Sequence, residues 1–260
     1  MRHTISAVII TKNEQKDISR CLESVKWADE IVVVDDYSED DTVKICNKYT
    51  HNIFLNKFHS FASQKKFAFS KATKNWILSL DADEEVPEEL REEILKTLSS
   101  GRTSVDGYFM PRKTFFSGKW IAHCGWYPEY QLRLFKVDSW DMKDVYVHES
   151  VKVSGAAGYF KNPIYHYSFS SIFEYIERFN SYTSLAAVQM LRDGVKLDTY
   201  KIKAIAVGKA AKTFWKMYVK QSGFRDGMRG LFLCFFSAAY QLMVYAKFWE
   251  LSSKGISQEV

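Results

Sequence analysis

Cysteine is scarce in this chain. Cys21, Cys46, Cys124 and Cys234 stand far apart with no CxxC spacing, which supports neither a cysteine-held zinc site nor a small disulfide framework and fits reduced thiols in a cytoplasm. Glycine is sparse too. The first candidate loop, Thr11-Lys12-Asn13-Glu14, has none, so the GxGxxG turn of dinucleotide-binding domains is missing, and no phosphate-binding P-loop occurs elsewhere. Met1 to Thr4 lead straight into a short apolar run, Ile5 to Ile10, with no cleavage site of the secretory kind. The uncharged run Gly230 to Ala246, bracketed by Arg229 and Lys247, is interrupted by Gln241 and falls short of the ~20 residues that cross a bilayer. No internal repeat or low-complexity tract is evident.

The 260 residues are enough for a substantial core. Net charge is only +5, but its placement is uneven. Residues 201–230 hold Lys201, Lys203, Lys209, Lys212, Lys216, Lys220, Arg225 and Arg229 against Asp226 alone. That one stretch is more positive than the whole protein, and the remainder is slightly acidic.

From residue 5 to about 110, β-branched runs alternate with helical patterns, the signature of a parallel sheet covered by helices. The strands are expected over Ile5–Thr11, Glu30–Asp35, Asn52–Leu55 and Trp76–Leu80. Ile18, Leu22 and Val25 keep helical spacing, and Ser38 with Asp41 resembles a capping box that opens a helix to Tyr49. Pro87, Glu88 and Glu89 suit the start of a helix reaching about Leu98. Aromatic-rich strand pieces follow: Gly107–Arg112, Gln131–Lys136 and Val145–Val153. Long helices are expected from Ser171 to about Arg192, Thr199 to Gln221 and Asp226 to Trp249. The division that follows is 1–110 for a nucleotide-binding half, 111–195 for an acceptor-binding half and 196–260 for a helical tail.

Ligands of open α/β sheets bind at the carboxyl ends of the strands. Here those ends carry acids: Glu14 after the first strand, Asp35 and Asp36 after the second, Asp81, Asp83 and Glu84 after the fourth. Converged carboxylates repel unless a cation sits among them, which argues for a hard divalent ion, Mg²⁺ or Mn²⁺, completed by a bound diphosphate. Any single pair is more often a turn former or a helix cap; three acidic ends in one array shift the balance.

The stretches AVIITKNEQKDISRCLESV, EIVVVDDYSEDDT, FASQKKFAFSKATKNWILSLDADEEV, EYQLRLF and VHESV, in this order over roughly residues 5–150, resemble the inverting glycosyltransferase family 2. Within it the chain is most similar to the branch of lipopolysaccharide-core β-glucosyltransferases. The resemblance implies an α/β fold of GT-A type, a Rossmann-like mixed sheet flanked by helices with a C-terminal helical extension, and a UDP-sugar donor. Carried over, Thr11, Asn13, Glu14, Asp35 and Asp36 match positions that hold the uridine nucleotide, with Gln64 and Lys65 bordering the pocket. Asp81, Ala82 and Asp83 match the DxD motif, in which the second aspartate meets the metal. Glu149 of His148-Glu149 falls where the family carries its catalytic base, with Asp144 in reserve. His166 matches a downstream metal ligand of some relatives, although a lone histidine among aromatics is more often structural.

On the acceptor side, Arg133 is suited to a phosphate or acid group, or equally to a neighbouring carboxylate, and Trp120, Trp126 and Tyr127 to stacking on sugar rings, with core packing the expected fate of at least one. Lys209, Lys212, Lys216 and Lys220 share one helical face, opposite Val207, Ala211, Phe214 and Tyr218. That pattern fits an anionic membrane surface. The expectation is a cytoplasmic enzyme, peripheral on the inner face of the membrane, using a glycolipid acceptor and forming a homodimer through its C-terminal helices. Two rivals remain: a transferase acting on polyprenyl phosphate or a capsule precursor, and a nucleic-acid-binding protein using residues 201–230, although nucleic acid is not the expected partner. The second rival predicts salt-sensitive binding that needs no metal.

Overall fold

The computed structural model describes residues 3–99, 104–142 and 151–254. Its N-terminal elements follow the alternating pattern: β1 (Ile5–Thr11), α1 (Ile18–Ser24), β2 (Glu30–Asp35), α2 (Thr42–Cys46), β3 (Ile53–Leu55), α3 (Phe61–Phe69) and β4 (Trp76–Asp81). Then come β5 (Glu84–Glu85), α4 (Glu88–Ser99), β6 (Gly107–Phe116), β7 (Lys119–Trp120), β8 (Glu129–Lys136), β9 (Trp140–Met142), β10 (Val151–Val153), β11 (Ala157–Tyr159) and β12 (Ile164–Phe169). The C-terminal elements are α5 (Ile172–Arg192), α6 (Thr199–Trp215) with a π turn at Lys216–Lys220, a 3-10 turn at Gly223–Asp226 and α7 (Gly227–Ser253). The chain forms two compact units: Met1–Lys113 with Pro128–Ser168, and Thr114–Tyr127 with Phe169–Val260.

In unit 1, β1, β2, β3 and β4 are parallel, and β8 runs antiparallel to β4. The strand order is β3-β2-β1-β4-β8-β6-β12-β5. The continuous apolar runs of β1, β2 and β4 have a simple cause: helices cover both faces, so both sets of alternating side chains are buried. Ile5, Ala7, Ile9, Ile31, Val33, Trp76, Leu78 and Leu80 enter one core, whereas Val8, Val32, Val34 and Ile77 enter the other. Each such side chain contributes about 1.5–3 kcal/mol when fully buried. The register sets Thr11 beside Asp35 and Ile10 beside Asp81, so three strands end at one level.

One local expectation fails. α2 begins only at Thr42, and Asp41 at its N-cap makes no side-chain cap. Ser38 is drawn elsewhere: its N–H donates to Asp35 Oδ1 at 2.8 Å, its hydroxyl donates to Asp35 Oδ2, and its Oγ accepts the Asn13 N–H at 2.8 Å. A fully buried carboxylate must be hydrogen-bonded, whereas water can serve an exposed helix end.

In unit 2, Ser171 caps α5 and Asp198 caps α6 by accepting the N–H groups of Glu174 and Lys201. α7 packs against both helices. Ile202, Ala206 and Ala210 of α6 are buried, two alanines that allow close approach. The apolar set expected on this helix therefore divides: Phe214 and Tyr218 pack on a core around Phe116, Leu233 and Cys234, while Val207 and Ala211 stay exposed. The Gly223–Ser253 segment is long and apolar enough to cross a membrane by length and composition.

Candidate active site

The carboxyl ends of β1, β2 and β4 bring together most of the acids singled out in the sequence. Asp81, at the end of β4, is held by two cations: Arg133 Nη2 lies 2.7 Å from its Oδ2, and Lys65 Nζ 3.3 Å from its Oδ1. The same Arg133 nitrogen is 2.5 Å from Glu84 Oε1, and Glu84 Oε2 accepts the Asp81 N–H at 3.0 Å. Burial alone would push the Asp81 carboxyl up, but the Arg133 guanidinium and then Lys65 outweigh it and hold Asp81 well below the usual carboxylate range. Glu84 moves the other way, raised by burial and then by the Asp81 charge, with Arg133 opposing. Of the two readings open for Arg133, the structure has the pairing with carboxylates.

Asp83 has a different partner. The short strand β5 pairs antiparallel with β12, setting Tyr165 beside Glu85 and His166 beside Glu84, and the Tyr167 N–H donates to the Asp83 carbonyl at 2.9 Å. This register brings His166 Nε2 to 3.3 Å from Asp83 Oδ2, with both side chains nearly buried. Ala82, between the two aspartates, packs its methyl into the core.

The remaining residues expected at a nucleotide site lie on and near the adjoining strand ends. Thr11 Oγ1 is buried without a hydrogen-bond partner among the described residues. Asn13 adopts a left-handed conformation (φ 52°), and its Oδ1 accepts the Glu39 N–H at 2.8 Å. The Glu14 N–H donates to Thr42 Oγ1. Asp36 Oδ1 accepts the Phe58 N–H at 2.9 Å, while Lys12 Nζ donates to the Asp36 and Tyr37 carbonyls. Gln64 is buried and exchanges hydrogen bonds with Asn56. A small cavity of ≈ 130 Å³ opens beside this cluster, with Lys65, Ser79, Phe109, Tyr130 and Arg133 in its lining.

Trp126 and Tyr127 belong to unit 2. Trp126 packs on that unit's core, and Tyr127 meets Trp120 edge-on, ring centroids 5.4 Å apart. Glu149, His148 and Asp144 lie outside the described residues. Reading the sequence placed Glu84 on the acidic rim without giving it a role; a third acid directly after DxD was the signal available. Among the described residues no cluster of three or more His, Cys, Asp and Glu side chains could by itself hold a metal. Asp83 and His166 offer two ligands, and a divalent ion bound through one or two protein ligands plus substrate phosphates needs no more. The residues therefore fit such an ion.

Sheet order, acidic strand ends and the β5–β12 pairing are those of a GT-A type fold. Residues 6–164 match the model of glycosyl transferase family 2, and the chain belongs to that family. It is similar to an uncharacterized glycosyltransferase of Rickettsia felis, 31% identical over 76% of this chain and 74% of that protein. It is also similar to the lipopolysaccharide core biosynthesis glycosyltransferase LpsC of Rhizobium meliloti, 26% identical over 95% of this chain and 92% of that one. Among solved structures, S. aureus TarS in complex with UDP-GlcNAc matches 97% of this chain and 92% of its own length, at 15% identity and a TM-score of 0.49.

Proposed function

We propose that this protein is an inverting glycosyltransferase that moves a hexose from a UDP-sugar to a glycolipid acceptor of the lipopolysaccharide-core type, at the inner face of the cytoplasmic membrane. The observation that carries the reading is the approach of His166 to Asp83 at the rim where β1, β2 and β4 end. Uridine would lie against Thr11, Asn13, Glu14, Asp35 and Asp36, where the orphaned Thr11 hydroxyl gains a partner. Asp83 and His166 would hold Mg²⁺ or Mn²⁺, which neutralises charge growing on the departing diphosphate. Lys65, already turned toward the site, adds positive charge on the same side, and Arg133 fixes the Asp81 carboxylate.

Glu149 would take the proton of the acceptor hydroxyl as that oxygen attacks the anomeric carbon. The new C–O bond forms as the bond to the diphosphate breaks; UDP leaves with the electron pair, and the anomeric configuration inverts. The role of LpsC in lipopolysaccharide core biosynthesis supports this acceptor class.

The test is a panel of UDP-sugars assayed for binding and slow hydrolysis with and without Mn²⁺. Wild type is expected to favour a UDP-hexose in a metal-dependent way, and Asp83→Ala to lose at least a hundredfold in turnover, a ~3 kcal/mol loss of electrostatic stabilisation. Normal metal-dependent turnover by Asp83→Ala would remove this site from the reaction.

A further inference from the structure

Apolar side chains that face water are concentrated in unit 2. Of the twenty large ones exposed among the described residues, Tyr37, Leu55, Tyr130 and Tyr159 lie in unit 1 and the other sixteen in unit 2. Single exposed apolar residues are ordinary, but a continuous row is not. On α6 they form one. Ile202, Ala206 and Ala210 are buried, and the opposite side presents Val207 (56% exposed), Ala211, Trp215 (57%) and Val219, each four residues from the last. An α-helix alone would let this spacing drift sideways. The π turn at Lys216–Lys220 is wider and turns this drift back, which holds the end of the row near its line.

Beside the row, one residue further along at each step, stand Lys212, Lys216 and Lys220, all exposed. No acidic residue occurs from Thr199 to Lys220. We propose that this face of α6 docks on an anionic bilayer, with Trp215 and Val207 sinking to the boundary of headgroups and acyl chains and the lysine row meeting lipid phosphates. Two copies of the chain packed through the same face would bring like charges together, which favours the bilayer over a second copy as occupant. The assignment rests on the reading that the acceptor is a glycolipid and names the surface that meets the membrane.

The experiment sediments the full chain with vesicles of phosphatidylglycerol and phosphatidylcholine in equal parts, and with phosphatidylcholine alone. Wild type is expected to pellet with the first and stay soluble with the second. Val207→Glu with Trp215→Glu is expected to abolish pelleting. Replacing Lys212, Lys216 and Lys220 by Gln weakens it about a hundredfold, roughly fivefold for each charge, and flattens its salt dependence. All these positions are exposed, so unchanged melting curves serve as the folding control. Equal pelleting by the Glu variant, equal pelleting with neutral vesicles, or no pelleting of wild type would each overturn the proposal. So would conversion of a lipid-free dimer to monomer by the Glu variant without any vesicle binding, which would make the face a self-contact. Metal-dependent hydrolysis of UDP-sugar, read without vesicles in the same variants, reports on the active site alone, so its absence in wild type would sink the proposed reaction and leave the vesicle result standing.

Discussion

At the scale of single residues, the Asp81–Arg133–Glu84 cluster decides what the acidic rim is. Two carboxylates so close cannot both stay ionised in a buried place without cations, and Arg133 and Lys65 provide them for Asp81. Asp81 is held well below its usual range, so it stays ionised through mild acid and neutrality. Glu84 is raised, so the fold prefers it protonated; its favourable contribution is largest below the unfolded value near ~4.3 and falls as pH rises through the folded one. Relative to wild type, Glu84→Gln should therefore be less destabilising at pH 8 than at pH 5 in paired thermal melts, and an opposite trend would refute the assignment. Glu149→Gln should retain UDP-sugar binding and lose transfer by about 10²–10⁴-fold, as measured by calorimetry and product formation; undiminished transfer would exclude Glu149 as base.

At the scale of elements, the parallel strands were legible because their cause is local and repeated. Ile5–Thr11 and Glu30–Asp35 begin and end where the apolar runs do. Ser38 was misread because its hydroxyl has two competing uses, and only the buried Asp35 carboxylate nearby shows which one prevails. The break of α6 at Lys216 was likewise silent, since Trp215-Lys216-Met217 is as good an α-helical pattern as any. Gly230 depends on a contact invisible in sequence: a Cβ there would collide with the Gly223 carbonyl oxygen, where α7 crosses the preceding turn. Gly230→Ala should cost about 1–3 kcal/mol or more, seen as a lower urea midpoint; an unchanged midpoint would mean that the turn yields freely.

At the scale of the whole molecule, two units divide the exposed surface unequally. Unit 1 keeps its apolar side chains in two cores on the faces of one sheet. Unit 2 buries Cys124 and Cys234 with their sulfurs 3.6 Å apart, sets the buried Asp226 carboxylate on His123 at 3.0 Å and leaves an apolar row on α6 open to solvent. The positive charge of residues 201–230, read from the sequence as a block, resolves on the folded helix into a lysine row beside an apolar one.

The sequence by itself determined the parallel strands, the acidic strand ends and the family, because periodicity and motif order are properties of consecutive residues. It could not determine that Arg133 would hold Asp81 and Glu84 from 52 and 49 positions away. Nor could it show the β5–β12 register that sets His166 against Asp83, or choose which face of α6 meets α7. Those outcomes depend on register between distant strands and on competition among helix faces for one core, and only the folded chain brings the competing groups within reach of each other.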